Sequence, residues 1–564
     1  MEEYVIGLDY GTNSARAVIV NANTGEEIAK HVYAYKLGEA GILLDHKKPQ
    51  LARQHPQEYF DALDECISKG FKKAKANDKK FSPKNVIGIG IDTTGSTPIP
   101  VNSEGMPLAM TKEFKKNINA MAWLWKDKTS HQVAETINRL GHENDPDYTL
   151  YSGKIYSAEW YFSKIGQIAI DAPEVYKASA SFVEHCDLMP AYLVGEMNPK
   201  RIWRSACAAG HKAMFNMKWN GLPAQDFFSK LGRAIGIGDR LDDLQTKLYS
   251  ADRVKPADFK VGTLRKDLAE KYGMNTNVAV AAGAFDAHMG AVGAGIKNGI
   301  LTKIMGTSTC DMLIGDADSM DTVVEGICGQ VLGSIVPGKA GFEAGQSSAG
   351  DTFAWLRDFI LRAKKRIPDN KPLIASEKDK DSVYEYLTNE AKKYSPEELK
   401  MVALDYFNGV RTPDANPNAR GAILGFNLLT KPGALFRIIV ESVALGAFNI
   451  VERIRKYHLP VNQVIACGGL TKSDFVMQIH ADVFGTEFKI AKSALTCSLG
   501  AGMFAAVAAG KYKTVEKAQE KMCSGFSKTY KPDMAKHEIY MKKFAEYLDA
   551  RSKIDIITGR LLKI

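Results

Sequence analysis

Asp286 and His288 stand two residues apart in the small-residue stretch "AAGAFDAHMGAVGAG". Three chemistries suit such a pair. Asp is favoured at a helix N-cap, and the Ala/Gly run behind it can form that helix. An Asp-x-His pair can clip a metal, but no further ligand stands at useful spacing nearby, which counts against it. A carboxylate among small neighbours leaves room for a substrate and can act as a general base. The cap and the base readings are compatible, and one residue can be both.

Two further stretches suit phosphate. "GLDYGTNSARAV" places Gly11, Thr12 and Asn13 just after Asp9, and "IMGTSTCDMLI" repeats the device with Gly306, Thr307 and Ser308. Backbone N–H groups and small hydroxyls can approach an anion where no bulky Cβ stands in the way. A strand rather than a helix follows each turn, so neither is a Walker loop or a dinucleotide fingerprint. One copy alone reads as a plain hairpin turn. Two copies facing across a cleft could grip a polyphosphate from both sides. Asp9, on the strand leading into the first, offers hard carboxylate oxygens for magnesium, directly or through water. In "ACGGLTKSDF" Gly468 and Gly469 end a strand, and Ser473 opens the helix that follows. Bare backbone there suits a flat ring such as adenine, although a Gly-Gly turn is most often only a turn.

The elements that must position these residues alternate. "YVIGLDYGTNSARAVIVNANTGEEI" reads as strand, turn, strand, turn, and "QEYFDALDECISKGFKKAKA" sets Phe60, Leu63, Ile67 and Phe71 at helical spacing. "NVIGIGID" is a buried strand ending at Asp92, and "SLGAGMFAAVAAG" reads as a small-residue helix suited to close packing. This alternation predicts an α/β layered chain. At 564 residues it exceeds a single core. The repeated hairpin predicts two related domains with a cleft between them, 1–287 and 288–564.

Composition narrows the partners. The net charge of +9 is spread thinly, and no basic block interleaves with aromatics, so nucleic acid is not an expected partner. The eight cysteines form no Cys-x-x-Cys pair, which argues against a zinc site or a disulfide framework and points to a reducing compartment. The opening "MEEYVIGLDYG" is acidic where a signal peptide would be basic. "LFRIIVESVALGAFNIVERI" is broken by Arg437 and Glu441, so no membrane span is expected. A cytoplasmic protein is the expectation.

A dozen motifs then match in order. "GLDYGTNSARAV", "GIGIDTTGSTPIPV", "NAMAWLWKD", "IYSAEW", "CDLMPAYLVG", "CAAGHKAMF", "GAFDAHMGAVGAG", "IMGTSTCDMLI", "EGICGQV", "EAGQSSAGD", "DYFNGVRTPDAN" and "ACGGLTKSDFVMQIHADV" together resemble the FGGY family of carbohydrate kinases, over the whole chain. "TTGSTP", "AGHKAMF", "EGICGQV" and "EAGQSSAGD" resemble the members that act on L-ribulose. The resemblance implies two actin-like (ribonuclease-H-like) domains, with sugar held mostly by the first and ATP mostly by the second. It implies ATP-dependent phosphorylation of L-ribulose to L-ribulose 5-phosphate in L-arabinose catabolism, with magnesium. Xylulose or ribitol is the alternative substrate, and a non-catalytic actin-like ATP switch is the alternative of another class. A homodimer is one assembly open to such a chain.

By position, the resemblance makes Asp286 the catalytic base and places Gly95, Lys212 and Glu343 around the sugar. Gly306, Thr307 and Ser308 match the second phosphate hairpin, and Gly468, Gly469 and Ser473 the adenosine region. Trp125 and Asp127 sit where the wider family has a Trp-x-Asp-x-Arg sugar contact. Lys128 replaces that arginine here, which puts the contact in doubt. Asn408, Gly409 and Arg411 match a family segment to which no chemistry is given. His288 is expected to pack or to support the site from behind.

Overall fold

Both glycine turns join antiparallel strands. Tyr4–Tyr10 pairs with Ser14–Asn21, and Ile300–Met305 pairs with Thr309–Gly315. The computed structural model describes residues 2–45, 47–367, 373, 375–416 and 418–561. Among these, each hairpin lies at the centre of a seven-stranded sheet.

The two sheets share a plan. In the first, the order runs Lys260–Thr263, Ala279–Ala281, Val86–Thr93, then the hairpin, then Glu27–Ala34. Val86–Thr93 is parallel to Tyr4–Tyr10, and Ala284–Phe285 prolongs the parallel neighbour beside it. In the second, Phe526–Tyr530, Phe488–Ala491 and Gln463–Cys467 lead to the hairpin, and Ala340–Ala344 and Gly329–Leu332 follow. Gln463–Cys467 is likewise parallel to Ile300–Met305. The central strands are apolar on both faces because both faces are covered, and every residue of Tyr4–Tyr10 is buried.

What covers the first sheet explains its glycines. The Thr496–Ala508 helix, the small-residue run of the sequence, lies directly on it. A Cβ on Gly7 would come within 1.8 Å of the Ser498 carbonyl oxygen, and one on Gly90 within 1.9 Å of that of Ala501. No side chain fits there, so the helix rests on bare strand. The same helix crosses Asp286–Ala294 as closely, since a Cβ on Gly500 would meet the Met289 carbonyl oxygen at 1.9 Å. A chain segment from the C-terminal half therefore holds up the element that carries Asp286. Val5, Val18, Phe285, Met289, Leu499 and Met503 fill the apolar seam this creates.

A second apolar core, around Trp123, Phe162, Ile165 and Phe228, underlies the lobe built on the first sheet. The Pro432–Lys456 helix is long and apolar enough to reach across a bilayer, but 89% of its most apolar window is buried within the C-terminal core. Its Arg437 and Glu441 pair at 2.8 Å, and Lys543 closes on Glu441 at 2.6 Å, so its charges are answered inside the protein.

Candidate active site

Asp286 is the first residue of the Asp286–Ala294 helix, and Phe285 holds the N-cap position. The cap reading was thus one residue out. The Ala287 N–H donates to Asp286 Oδ1 at 2.7 Å. Burial and then the charge of Asp9 push the Asp286 carboxyl up to about 7. It is a carboxylate that can change protonation near neutral pH.

Asp9 and Asp92 lie side by side, paired in register on parallel strands. Arg16 Nη1 is 3.3 Å from Asp9 and holds back the rise that burial imposes on it. Asp92 is fully buried with neither oxygen hydrogen-bonded, and burial with the neighbouring Asp9 and Asp286 charges pushes its carboxyl well above the usual range. Oxygens of Asp9 and Asp92 and the Cys497 sulfur all lie within 4.8 Å of one another. Buried carboxylate oxygens gathered in this way, those of Asp92 without a hydrogen-bond partner, fit a hard divalent cation.

Lys212 and Glu343 close the site across the two halves of the chain. Lys212 ends the Ala206–Lys212 helix, Glu343 stands on Ala340–Ala344 of the second sheet, and Lys212 Nζ lies 2.9 Å from both Glu343 oxygens. Burial works to raise Glu343, but Lys212 and the neighbouring His211 and His288 together outweigh it and hold the carboxyl down to about 2. The Trp160 ring, 4.7 Å from Lys212 Nζ, gives the cation an aromatic face. His211 and His288 stand behind this pair, with ring centroids 4.7 Å apart.

Gly95 is brought to the same place. A Cβ there would fall 1.9 Å from the Phe285 ring, next to Asp286. The loop is clamped from beneath. The Ser96 hydroxyl and the Thr97 N–H donate to Glu184, the latter at 2.6 Å, and Lys164 Nζ donates to the Ser96 carbonyl at 2.7 Å. Asp9, Gly95, Lys212, Asp286 and Glu343 therefore form one group.

A second group gathers around Gly306, Thr307 and Ser308. The Ala349 N–H donates to the Thr307 carbonyl at 2.8 Å and the Gly350 N–H to that of Gly306 at 3.1 Å, which ties the hairpin to the start of the Gly350–Lys365 helix. Gly468 joins them at φ +99°, where a Cβ would meet the Met305 carbonyl oxygen at 2.5 Å. Gly469 has open space beside it. Ser473 caps the Asp474–Phe484 helix, accepting from the Val476 N–H at 3.4 Å. The two groups adjoin at Gly290, where a Cβ would lie 3.1 Å from Cys497 Sγ and 3.8 Å from Ile304 Cγ1.

Other expected residues have side-chain partners within the protein. The Asn13 amide donates to the Ala40 carbonyl at 2.7 Å. Thr12 Oγ1 accepts from the Trp125 indole at 3.0 Å, which ties Trp125 to the first hairpin. Asp127 is fully buried and bonds to Arg53, the Ala52 N–H and Thr129, so it faces the interior. Lys128 reaches Glu159 at 3.6 Å.

Sequence reasoning missed Asp92, Arg16 and the Glu184–Lys164 clamp. Asp92 had a signal, an acid ending a buried strand beside the one that carries Asp9. Arg16 and the clamp had none. Arg411 was given no chemistry, yet its charge lies within the field of Glu159 and Glu343.

The sequence pattern of the N-terminal domain of the FGGY family of carbohydrate kinases matches residues 4–293, and that of its C-terminal domain residues 301–509. A ribulokinase of Vibrio parahaemolyticus is 40% identical over 97% of this chain and 95% of its own length. One of Geobacillus thermodenitrificans is 37% identical over 97% and 93%. Among solved structures, a xylulose kinase from Rhodospirillum rubrum superposes with a TM-score of 0.77 at 18% identity, covering 99% of this chain and all of its own. A Plasmodium falciparum glycerol kinase with ADP gives 0.73 at 16% identity, covering 98% of each.

Proposed function

The chain belongs to the FGGY family of carbohydrate kinases, with two actin-like domains, and on that footing we propose that it transfers the γ-phosphoryl group of ATP to the terminal hydroxyl of L-ribulose, giving L-ribulose 5-phosphate. Asp286 is the general base in this reading. One observation carries it: a carboxylate held near neutral pKa by burial stands between the Asp9–Asp92 pair and the Lys212–Glu343 pair.

The residues divide the work. Lys212 donates to sugar oxygens and Glu343 accepts from sugar hydroxyls, while Gly95 leaves the carbon chain room beside Phe285. Asp286 takes the proton from the attacking hydroxyl as that oxygen commits to phosphorus. The Gly11–Ser14 and Gly306–Ser308 turns offer backbone N–H groups to the phosphates from opposite sides, and Gly468 with Gly469 gives the adenine ring bare backbone to lie on. Phosphoryl transfer asks mainly for positioning and charge stabilisation, and such a set supplies both. Asp9 and Asp92 would hold magnesium, which when bound draws negative charge off the phosphoryl oxygens.

The domain division proposed is a sugar-binding part over 1–287 and a nucleotide-binding part over 288–564, with Thr496–Ala508 reaching back onto the first sheet. Eight cysteines without a disulfide support a reducing, cytoplasmic setting. Ribulokinases among the close relatives support L-ribulose, and a place in L-arabinose breakdown follows from that substrate. ADP release measured over a panel of pentuloses and pentitols tests the choice. L-Ribulose is expected among the best substrates. Faster turnover of xylulose or ribitol, with L-ribulose among the poorest, would move the assignment to a sister kinase.

A further inference from the structure

Behind the Lys212–Glu343 pair stand His211 and His288, which the kinase reaction does not use and which share Glu343 as a third donor. Three atoms, one each from His211, His288 and Glu343, lie within 4.8 Å of one another. His211 Nδ1 is 3.6 Å and His288 Nε2 3.8 Å from Glu343 Oε2. Ligand atoms around a tetrahedral zinc sit about 3.3–3.5 Å apart, given bonds of about 2.0–2.1 Å. Each histidine nitrogen is within a few tenths of an ångström of that spacing from Glu343, and the two nitrogens lie within 4.8 Å of each other.

The protonation pattern is suited to a metal. His211 Nε2 is 3.0 Å from Ser334 Oγ, and that hydroxyl spends its one proton on the Val331 carbonyl at 3.1 Å. Ser334 must therefore accept, His211 Nε2 carries the hydrogen, and Nδ1 presents a lone pair. A fixed hydrogen bond on the far nitrogen is what orients a metal-binding imidazole. Both nitrogens of His288 are buried and unpartnered, as is Nδ1 of His211. Burial keeps both rings neutral, His288 down at about 4 and His211 well below its ordinary value. Two neutral imidazoles and a carboxylate are the ligand set of a borderline divalent ion.

We propose that His211, His288 and Glu343 form a binding site for zinc, or another borderline divalent cation, distinct from the hard-cation pair Asp9 and Asp92. The ion and the Lys212 ammonium contend for one carboxylate. Binding requires Lys212 to swing away with its proton, and it takes Glu343 from the sugar. On the kinase reading, the ion is then an inhibitor competitive with sugar.

Titrating cobalt into the full chain, without sugar or nucleotide, reads the site directly and needs no turnover. A failure of the kinase reading leaves this measurement intact. The wild type is expected to show the visible bands of four-coordinate cobalt, removed by zinc. His288→Gln should weaken binding by at least about tenfold, the scale of losing support at a metal centre. Lys212→Met should tighten it, because the competing ammonium is gone, and a misfolded variant would not do that. Unchanged affinity in His288→Gln, weaker binding in Lys212→Met, or a thiolate-to-cobalt charge-transfer band pointing to the cysteines would each overturn the site. Zinc inhibition relieved by raising the sugar concentration is the expected kinetic counterpart, and inhibition indifferent to sugar would contradict it.

Discussion

The two hairpins have the same topology and opposite chemistry. Two residues before its glycine the first carries Asp9, and the second carries Ile304. On the parallel neighbour, Asp9 faces Asp92, whereas Ile304 faces Cys467. The second sheet still has a buried ion pair, Lys303 with Asp311 at 2.7 Å, but both partners are fully buried and answer each other. Charge in the first sheet is left partly open, since Arg16 meets Asp9 while neither Asp92 oxygen has a hydrogen-bond partner, and charge in the second is closed. On the proposed function, one sheet serves a cation and a reacting hydroxyl, and the other mainly presents backbone to phosphate and ring. On that reading the same fold serves two halves of one reaction through a change of one residue on each of two neighbouring strands.

This contrast can be broken in graded ways. The largest effect is expected at Asp286. Asp286→Asn should lower kcat by about 10²–10⁴-fold, the usual worth of a general base, while nucleotide still binds in a calorimetric titration. Next comes Asp9→Asn, which should raise the magnesium needed for half-maximal rate by about 10–100-fold. Ile304→Val, at the matching place, should leave that requirement unchanged. Should the two variants behave alike, the division between sheets would be wrong.

The two glycines that follow the parallel strands sharpen the contrast at smaller cost. Gly468→Ala meets a backbone carbonyl from a left-handed φ and has no way to relax, so a loss of nucleotide affinity and a lower Tm are expected together. Gly95→Ala meets the Phe285 ring, a side chain, at a cost of about 1–3 kcal/mol. Adding Phe285→Leu should recover most of that stability in a denaturant melt. Equal rescue at Gly468 by shortening any neighbouring side chain would contradict the geometry.

A separate effect is on stability with pH. The Asp286 carboxyl has a folded pKa of about 7, raised above its ordinary value, so the folded chain holds a proton that the unfolded chain has lost. Its burial therefore costs nothing below the ordinary Asp range of about 4 and destabilises progressively as pH rises toward 7. Asp286→Asn should melt higher than the wild type at pH 8, with the gain vanishing near pH 4. The same titration should make kcat/KM for sugar fall as pH drops below about 7.

Much of this was legible in the sequence, for physical reasons. A hairpin that repeats a Gly-Thr turn between apolar runs is a local signal, and it named both sheet centres. The small-residue helix was legible as a packing element, but what it packs on was not, since Gly7, Gly88 and Gly90 look like ordinary strand glycines until the helix lies on them. Asp286 stood out because small neighbours leave it room. Lys212 and Glu343 were named only through the family resemblance, because they come from distant segments that only the fold brings to 2.9 Å. For the same reason His288 seemed to lack metal-binding company, when His211 and Glu343 were the missing partners. Asp127 fitted a sugar-contact pattern, yet Arg53, which no spacing links to it, turns it inward. The side chain of Asn13 bonds to the loop at Ala40, a contact that no spacing in the sequence announced.

The central claim is that a sugar hydroxyl over Asp286 receives the phosphoryl group. Phosphorus NMR of the enzyme with ATP, magnesium and L-ribulose tests it most directly. The account predicts ADP and a sugar 5-phosphate monoester appearing in equal amounts, and neither forming without the sugar. Inorganic phosphate in place of the ester, or ADP release indifferent to L-ribulose, would contradict it.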